Sequence, residues 1–221
     1  MRFIKLISAV LLLGSALTPT VAHADYFTSQ TSFNTANPGL PVLTFEGIAP
    51  TGSFIKPAPG FAGVTFTDAT NASSANVAIS SATFFFLTPT DVLFLDKFTD
   101  PLMLTFSPNV NAVGFNIASG FGAGTATLTV FNGNTLLDTE NVSAASETVF
   151  TTFTGFSNLG TITSLTITPQ TNHFVLIDNL AFGKPRIQAT PEPGSIALLV
   201  GMSVSGAGFL VRRRRNAHKA A

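Results

Sequence analysis

The sequence predicts an all-β domain, an antiparallel β-sandwich or jelly roll with one short N-terminal helix. Short runs rich in Val, Ile, Phe and Thr recur along the chain, and Gly, Pro, Asn and Ser separate them. Strands do not alternate with helices, which disfavours an α/β fold, and no fixed-period repeat supports a solenoid. Twelve runs in about 160 residues favour two packed antiparallel sheets. The runs lie at residues 42–45, 64–67, 77–79, 83–87, 92–95, 102–106, 110–117, 125–131, 135–138, 147–153, 162–168 and 174–182.

Three local patterns refine this prediction. Residues 26–36 are compatible with one short helix, which Asn37-Pro38-Gly39 would end. Apolar and polar residues alternate along 125–131, and one irregular step within 162–168 indicates a β-bulge. Asn132-Gly133 is the strongest hairpin signal, because both residues tolerate a positive φ.

Phenylalanine dominates the aromatic content, with 22 residues against one Tyr and no Trp. A phenyl ring has no polar group, so most of these rings are expected in the core between the sheets. Phe84, Phe85 and Phe86 are consecutive, and one strand cannot direct all three to the same side. A loop, the N-terminal helix or a partner is therefore expected to cover the ring or rings that face outward.

The first 24 residues have the pattern of a secretory signal peptide. A positively charged start precedes an apolar stretch at residues 6–17. Ala22 and Ala24 supply the small residues of a cleavage site, so the mature chain is predicted to begin at Asp25. The alternative is a retained N-terminal anchor, which the short apolar stretch disfavours.

The C-terminal segment, residues 189–215, combines three features in a fixed order. A Pro-Glu-Pro sequence precedes 16 uncharged residues at 196–211, and four arginines follow. As a helix at about 195–212, the apolar stretch would span ~24 Å, less than the ~30 Å hydrocarbon core, and long arginine side chains would make up part of the deficit. The arginines are expected to stay on the cytoplasmic side, with residues 216–221 as a cytoplasmic tail. The residues concerned are Pro191, Glu192, Pro193, Arg212, Arg213, Arg214 and Arg215.

This three-part order resembles the PEP-CTERM sorting signal of exported proteins in Gram-negative bacteria. The resemblance covers residues 191–215 and implies that an exosortase, an integral-membrane enzyme, recognises the segment and cuts near Pro-Glu-Pro. It implies a precursor in the inner membrane and a product at the cell surface or in the extracellular matrix. Two alternatives remain, a buried C-terminal helix of a globular domain and an unprocessed tail anchor.

The interval between the two signals, residues 25–188, forms the predicted β-sandwich cargo domain. It contains ten acidic and four basic residues, a net charge of −6, although the whole chain is neutral. Nucleic-acid binding is not expected, because no basic face is available to neutralise phosphates. The chain contains no cysteine, which excludes thiol catalysis and zinc–thiolate sites.

Two short segments of the cargo domain carry candidate metal ligands, Thr44-Phe45-Glu46-Gly47 near its start and residues 176–183 near its end. This pairing resembles secreted jelly-roll modules of the carbohydrate-binding and PEP-CTERM cargo type. In such modules, carboxylates at these places bind a structural Ca²⁺. The resemblance implies Glu46 and Asp178, with Asn179, as oxygen ligands of Ca²⁺. The alternative is that Glu46 caps a turn and Asp178-Asn179 form a turn at a strand edge.

The sequence thus predicts a non-enzymatic, exported envelope or matrix protein, with an exosortase, the inner membrane and extracellular polysaccharide as partners. The first alternative is a Ca²⁺-dependent carbohydrate-binding module, although the chain has no Trp and only one Tyr on which a sugar ring could stack. The second alternative is a secreted glycan-active enzyme. Its candidate carboxylates are Asp91, Asp96, Asp100 and Glu46, and their spacing singles out no catalytic pair.

Overall fold

Strands make up most of the described chain, as the sequence predicts. The computed structural model describes residues 25–81, 91–97, 99–120, 122–146, 150–170 and 173–185. Within these ranges one helix, α1 (Gln30–Ala36), follows the first strand. The strands are β1 (Asp25–Phe27), β2 (Val42–Leu43), β3 (Phe54–Ile55), β4 (Val64–Asp68), β5 (Val77–Ser80), β6 (Val92–Leu95), β7 (Leu102–Gly120), β8 (Gly124–Asn132), β9 (Thr135–Ser146), β10 (Thr152–Pro169) and β11 (Phe174–Gly183).

The helix α1 forms where the sequence predicts one, although it begins later. Ser29 caps its start, and the Ser29 hydroxyl accepts a hydrogen bond from the backbone amide of Ser32 at 3.4 Å. At the other end, Asn37 donates to the carbonyl of Phe33 from its backbone at 2.8 Å and from its side chain at 3.0 Å. Phe33 is fully buried, so it fixes the helix to the sheet.

The strands join into an 11-stranded sheet in the order β1-β10-β8-β9-β7-β11-β6-β5-β3, with β2 on β11 and β4 on β7. The sequence predicts two separate sheets, but the long strands β7 and β10 each run through both halves and connect them. The predicted break between residues 106 and 110 does not end β7. The ladder with β10 skips residues 106–109, so Pro108 needs no backbone donor there.

The main hydrophobic core lies between the two halves of the folded sheet. Inward side chains of β4 to β8, β10 and β11 all contribute to it. Its largest fully buried side chains include Phe45, Phe115 and Phe156, which confirms the predicted role of phenylalanine. Burying each such ring contributes about 1.5–3 kcal/mol relative to leaving it exposed. Phe54 is an exception at 42% exposed, and Phe84–Phe86 lie outside the described residues.

Aromatic rings cover the outer face of one half of the sheet. Phe33 lies over Gly155 and its cross-strand partner Gly114, and a Cβ added to Gly155 would lie 2.7 Å from the Phe33 ring. Glycine is required here because no larger residue leaves room for the ring. Further along the same face, Phe94 and Phe174 pack edge to face with 5.7 Å between their centroids.

β8 and β9 form the predicted hairpin, with the turn one residue later than expected. Asn132 pairs with Thr135, so Gly133 and Asn134 are the two central residues. Gly133 has φ +58°, and a glycine at the first central position is the pattern of a type II′ turn. The predicted β-bulge in β10 is confirmed, since the register with β7 shifts between Ile162 and Ser164.

The remaining predicted strands differ in how closely their bounds match the observed ones. β6 has the predicted bounds, whereas β1 and β3 were not predicted because runs of three and two residues carry no periodic signal. The predicted run at 83–87 lies outside the described residues, as do residues 1–24 and 186–221. Within the described ranges, no helix is long and apolar enough to cross a membrane.

Candidate functional site

The middle of β11 is a junction between two strands that share one of its edges. β6 pairs with β11 at Leu176 and Ile177, and β2 pairs with it at Leu180 and Ala181. Between these pairings the register with β7 shifts, and Asn179 adopts φ +52°. This bulge leaves a gap between β2 and β6, and the chain that leaves β2 and the chain that enters β6 both approach it.

Asp178 lies at this gap and is almost completely buried, with 1% of its surface exposed. Its Oδ1 accepts a hydrogen bond from the backbone amide of Asn179 at 2.6 Å, and its Oδ2 accepts one from Asn179 Nδ2 at 2.9 Å. Burial raises the pKa of Asp178 to about 6, the Asn179 amide opposes this rise, and the nearby charges of Glu46 and Asp91 add to it. The structure thus places Glu46, which is exposed, near enough to Asp178 for the two charges to interact.

Asp91 is a third carboxylate at the gap, and it sits immediately before β6. Its Oδ2 accepts hydrogen bonds from the backbone amides of Ile48 at 3.2 Å and Ala49 at 3.4 Å. These bonds fix the turn that follows Glu46, where Gly47 has φ +73°. From the sequence, Asp91 is only a candidate carboxylate of a hydrolase. One feature does indicate a structural role for Asp91, namely its position directly before β6, a strand that is buried along its whole length.

Asn116 lies on β7, at the edge of β11 opposite the gap, and it is the direct cross-strand partner of Asp178 in the β7–β11 ladder. Its Nδ2 donates to the carbonyl of Phe150 at 3.3 Å, while its Oδ1 is buried and has no hydrogen-bond partner. An unsatisfied buried acceptor costs about 1–3 kcal/mol. A proton on Asp178 or a bound cation would each offset part of this cost.

The oxygen atoms at the gap fit a hard cation in their chemistry. Ca²⁺ is bound in proteins by carboxylate and amide oxygens, usually six to eight in number. Within the described part of the chain, however, no three Asp, Glu, His or Cys residues come close enough together to hold a metal ion. The described side chains therefore supply only part of a Ca²⁺ coordination sphere.

The other candidate hydrolase carboxylates take part in ion pairs. Asp96 Oδ2 lies 2.6 Å from Lys56 Nζ, and Asp100 Oδ2 lies 3.0 Å from Lys97 Nζ. Lys97 also lies 3.5 Å from the fully buried Asp68. These contacts connect the loops beside β5 and β6 and explain the carboxylates without reference to a reaction.

Asp68 holds the loop that follows β4. Its carboxylate accepts hydrogen bonds from Thr70 N at 2.9 Å, Asn71 Nδ2 at 3.1 Å and Asn76 Nδ2 at 3.2 Å. Burial alone would raise the pKa of Asp68, but the hydrogen bonds and the Lys97 ammonium outweigh it and hold the pKa below its ordinary value. The carboxylate is therefore charged and structural at neutral pH.

The predicted sorting and cleavage residues lie outside the described ranges. These are Ala22, Ala24, Pro191, Glu192, Pro193, Arg212, Arg213, Arg214 and Arg215.

No family profile and no curated protein matches this chain. Solved structures similar to it include carbohydrate-binding modules. CBM29_1 from Piromyces equi is 13% identical with a TM-score of 0.33, and the match covers 76% of this chain and 97% of the module. A family 11 module from Clostridium thermocellum, in complex with a β-1,3-1,4-mixed-linked tetrasaccharide, is 12% identical with a TM-score of 0.32 and coverages of 65% and 95%. CsCBM6-3 from Clostridium stercorarium, in complex with cellobiose, is 19% identical with a TM-score of 0.29 and coverages of 54% and 93%. Likenesses this distant assign no ligand, so the function has to be derived from this chain's own residues.

Proposed function

We propose that this chain is the precursor of an exported, non-enzymatic protein of the envelope or extracellular matrix of a Gram-negative bacterium. The observation that carries the proposal is where the strands begin and end. The strands that the structure describes, from β1 to β11, all lie between the predicted signal cleavage after Ala24 and the Pro-Glu-Pro sequence. Both targeting segments can therefore be removed without removing any strand that the structure describes in this jelly-roll-like domain.

The proposed route follows from the chemistry of the two segments. The signal peptide directs the chain through the inner membrane, and the apolar stretch at 196–211 stops it there. Four consecutive arginines hold the tail on the cytoplasmic side, because moving them through hydrocarbon would cost several kcal/mol. An exosortase then cuts near Pro191–Pro193 and releases the β domain from its anchor.

A non-catalytic role fits the described carboxylates better than a catalytic one. Asp68, Asp96 and Asp100 are engaged by lysines, and Asp91 is engaged by backbone amides. Glycoside hydrolysis needs two carboxyl groups on either side of a bond in one cleft. Asp178, the carboxyl group with the raised pKa, is buried within the sheet.

A second proposal concerns Ca²⁺, and it rests on the interacting charges of Glu46 and Asp178 and on the unsatisfied amide oxygen of Asn116, the cross-strand partner of Asp178. Glu46 and Asp178 would be the protein ligands, with Asn116 Oδ1 and Asp91 beside them. When bound, Ca²⁺ would neutralise the mutual repulsion of these carboxylates and tie the ends of β2 and β6 to β11. This arrangement supports the alternative function of a Ca²⁺-dependent carbohydrate-binding module.

Intact mass of the protein from separate membrane, surface and medium fractions tests the export proposal. We expect a species outside the inner membrane that begins at Asp25 and ends near residues 191–195. Replacing Pro191 and Glu192 with Ala should trap the longer precursor in the inner membrane, whereas Gly60→Ala, on an open surface of the β domain, should process normally. Recovery of only uncut protein that retains Arg212–Arg215 in the inner membrane would refute sorting and leave a simple tail anchor.

A further inference from the structure

The other half of the sheet has an outer face of a different kind. Five strand segments, in β4, β7, β10, β8 and β9, lie side by side with their cross-strand partners in register. One row of partners across them is Thr67, Met103, Thr166, Thr129 and Thr139. Direct partners point to the same side of a sheet. The outward surface of these five segments is the hydroxyl face.

The neighbouring rows repeat most of this chemistry. On one side, Thr65, Thr105 and Ser164 are consecutive partners across β4, β7 and β10, and the row continues to the apolar Phe131 on β8 and Leu136 on β9. On the other side, Thr168 pairs with Thr127 across β10 and β8. Strands lie about 4.8 Å apart and alternate residues of a strand about 6.7 Å apart, so the hydroxyl groups form a grid that extends ~19 Å across the strands.

The hydroxyl face is uncharged, and some of its polar groups are held in place. Every member of the three rows is neutral and either exposed or half-buried. The Thr127 hydroxyl donates to Asn141 Oδ1 at 2.7 Å and accepts from Gln170 Nε2 at 2.7 Å. Fixed hydroxyl and amide groups both donate and accept hydrogen bonds, as sugar hydroxyls do, and threonine methyls offer contact to sugar C–H groups.

A groove of about 380 Å³ borders the hydroxyl face at β4. Thr65 and Thr67 line it on the side of the face, and Pro59, Gly60 and Ser74 line it on the other side. Thr67 Oγ1 is buried and has no hydrogen-bond partner. Because this oxygen is buried, a ligand hydroxyl in the groove would become its partner only after rotation of the Thr67 side chain.

We infer that the hydroxyl face and its groove bind an extended, neutral polysaccharide chain that crosses the strands. A polyanion is disfavoured because the domain carries a net charge of −6 and the face supplies no cation. A second copy of this chain is disfavoured because hydroxyl side chains outnumber the large apolar members of the three rows, Met103, Phe131 and Leu136, whereas the centre of a protein–protein interface is apolar and aromatic. The inference deepens the proposed function, on which it rests for the presence of a polysaccharide matrix.

The test is retention of the purified full chain, in mild detergent, on insoluble cellulose, chitin and β-1,3-glucan, with anionic alginate as a charged comparison. We expect depletion from solution by at least one neutral polymer. The double variant Thr129→Val/Thr166→Val removes two central hydroxyls and keeps strand-forming side chains of the same shape, and it should weaken retention about tenfold. Thr151→Val, at an exposed residue just before β10, is the matched control and should bind like the unmodified chain. Equal melting temperatures of all three proteins would show that the variants are folded.

Several outcomes would overturn the inference. They are undiminished retention by the double variant, retention by alginate alone, and self-association without polymer binding. Exported protein that fails to bind would refute the hydroxyl face and leave the export proposal intact. Binding by a chain that stays uncut in the inner membrane would refute the export proposal and leave the hydroxyl face intact.

Discussion

Replacement of Asp178 by Asn gives the sharpest test of the gap in β11. Asn has the same shape, carries no charge and keeps one oxygen that accepts the hydrogen bond from Asn179. In the absence of metal, we expect Asp178→Asn to be more stable than the unmodified protein at pH 8. The reason is that the charged Asp178 is buried near two other carboxylates.

The magnitude follows from the pKa of Asp178, which rises from 3.8 to about 6. Keeping this group charged in the folded protein costs at most about 3 kcal/mol at neutral pH. Solvent screening and the loss of one acceptor oxygen in Asn reduce the expected gain to roughly 1–2 kcal/mol. In a domain of this size, that gain corresponds to a rise in melting temperature of about 2–8 °C.

The pH dependence has a definite sign. Between about pH 4 and pH 6, the folded protein keeps a proton on Asp178 that the unfolded chain has lost. The contribution of Asp178 to the free energy of unfolding therefore falls as the pH rises through this window. Asp178→Asn lacks this fall, so the two proteins should have similar free energies of unfolding at pH 4 and should differ most at pH 8.

The assay is urea denaturation at pH 4 and pH 8 in EDTA, repeated at pH 8 with millimolar Ca²⁺. Glu140→Gln, which removes a charge from the distant strand β9, is the control. If Ca²⁺ binds at the gap, the metal should stabilise the unmodified protein and leave Asp178→Asn unchanged, with a gain of about 2.7 kcal/mol at a hundredfold excess over the Kd. A variant less stable than the unmodified protein at pH 8 in EDTA would refute the electrostatic reasoning. No effect of Ca²⁺ or EDTA on the unmodified protein would remove the metal proposal.

Three further predictions concern stability, each measured by chemical denaturation. Gly155→Ala should lower the free energy of unfolding by about 1–3 kcal/mol, because its Cβ would lie 2.7 Å from the Phe33 ring. Gly60→Ala should change it little, because a Cβ added there meets nothing within 4 Å. Equal stability of the two variants would contradict the packing described for α1. Asp68→Ala should lower the free energy of unfolding by about 2–3 kcal/mol, because it leaves the hydrogen-bond donors of the loop after β4 without their acceptor. An unchanged denaturation midpoint would show that the loop keeps its conformation without these hydrogen bonds. Gly133→Ala should lower the free energy of unfolding by about 1 kcal/mol, because alanine is strained at a φ of +58°. A larger loss would contradict the open surroundings of Gly133, where an added Cβ meets nothing within 4 Å.

Much of the fold could be predicted because its signals are local. The alternation of residues 125–131, the glycine after it and the apolar run at 92–95 each reflect neighbours in the sequence, and β8, the hairpin and β6 follow them. The continuity of β7 could not be predicted in this way. Whether a strand ends at Pro108 depends on whether a partner needs its backbone donor, and that partner, β10, lies far along the chain.

The candidate site was predictable only in part for the same physical reason. Glu46 and Asp178 were paired through a resemblance, since no periodicity relates residues so far apart in the chain. Asp91 and Asn116 were missed because their place at the gap depends on β6 and β7 flanking the bulge at Asn179. A strand predicted from the sequence indicates which side of the sheet each of its residues faces. It does not indicate that β2 and β6 share one edge of β11, because that depends on the order of all the strands.

The two outer faces of the sheet explain why this chain is rich in both phenylalanine and threonine. One face is closed by rings such as Phe33 and Phe174, and the other presents threonine, which favours strands without adding much apolar surface. Soluble proteins usually place charged residues on an open sheet, yet here the acidic Asp138 and Glu140 lie on β9, where part of the described sheet ends. Charges at the edge protect the sheet against pairing with another chain, and their absence from the hydroxyl face keeps that surface available for contact with an uncharged polymer.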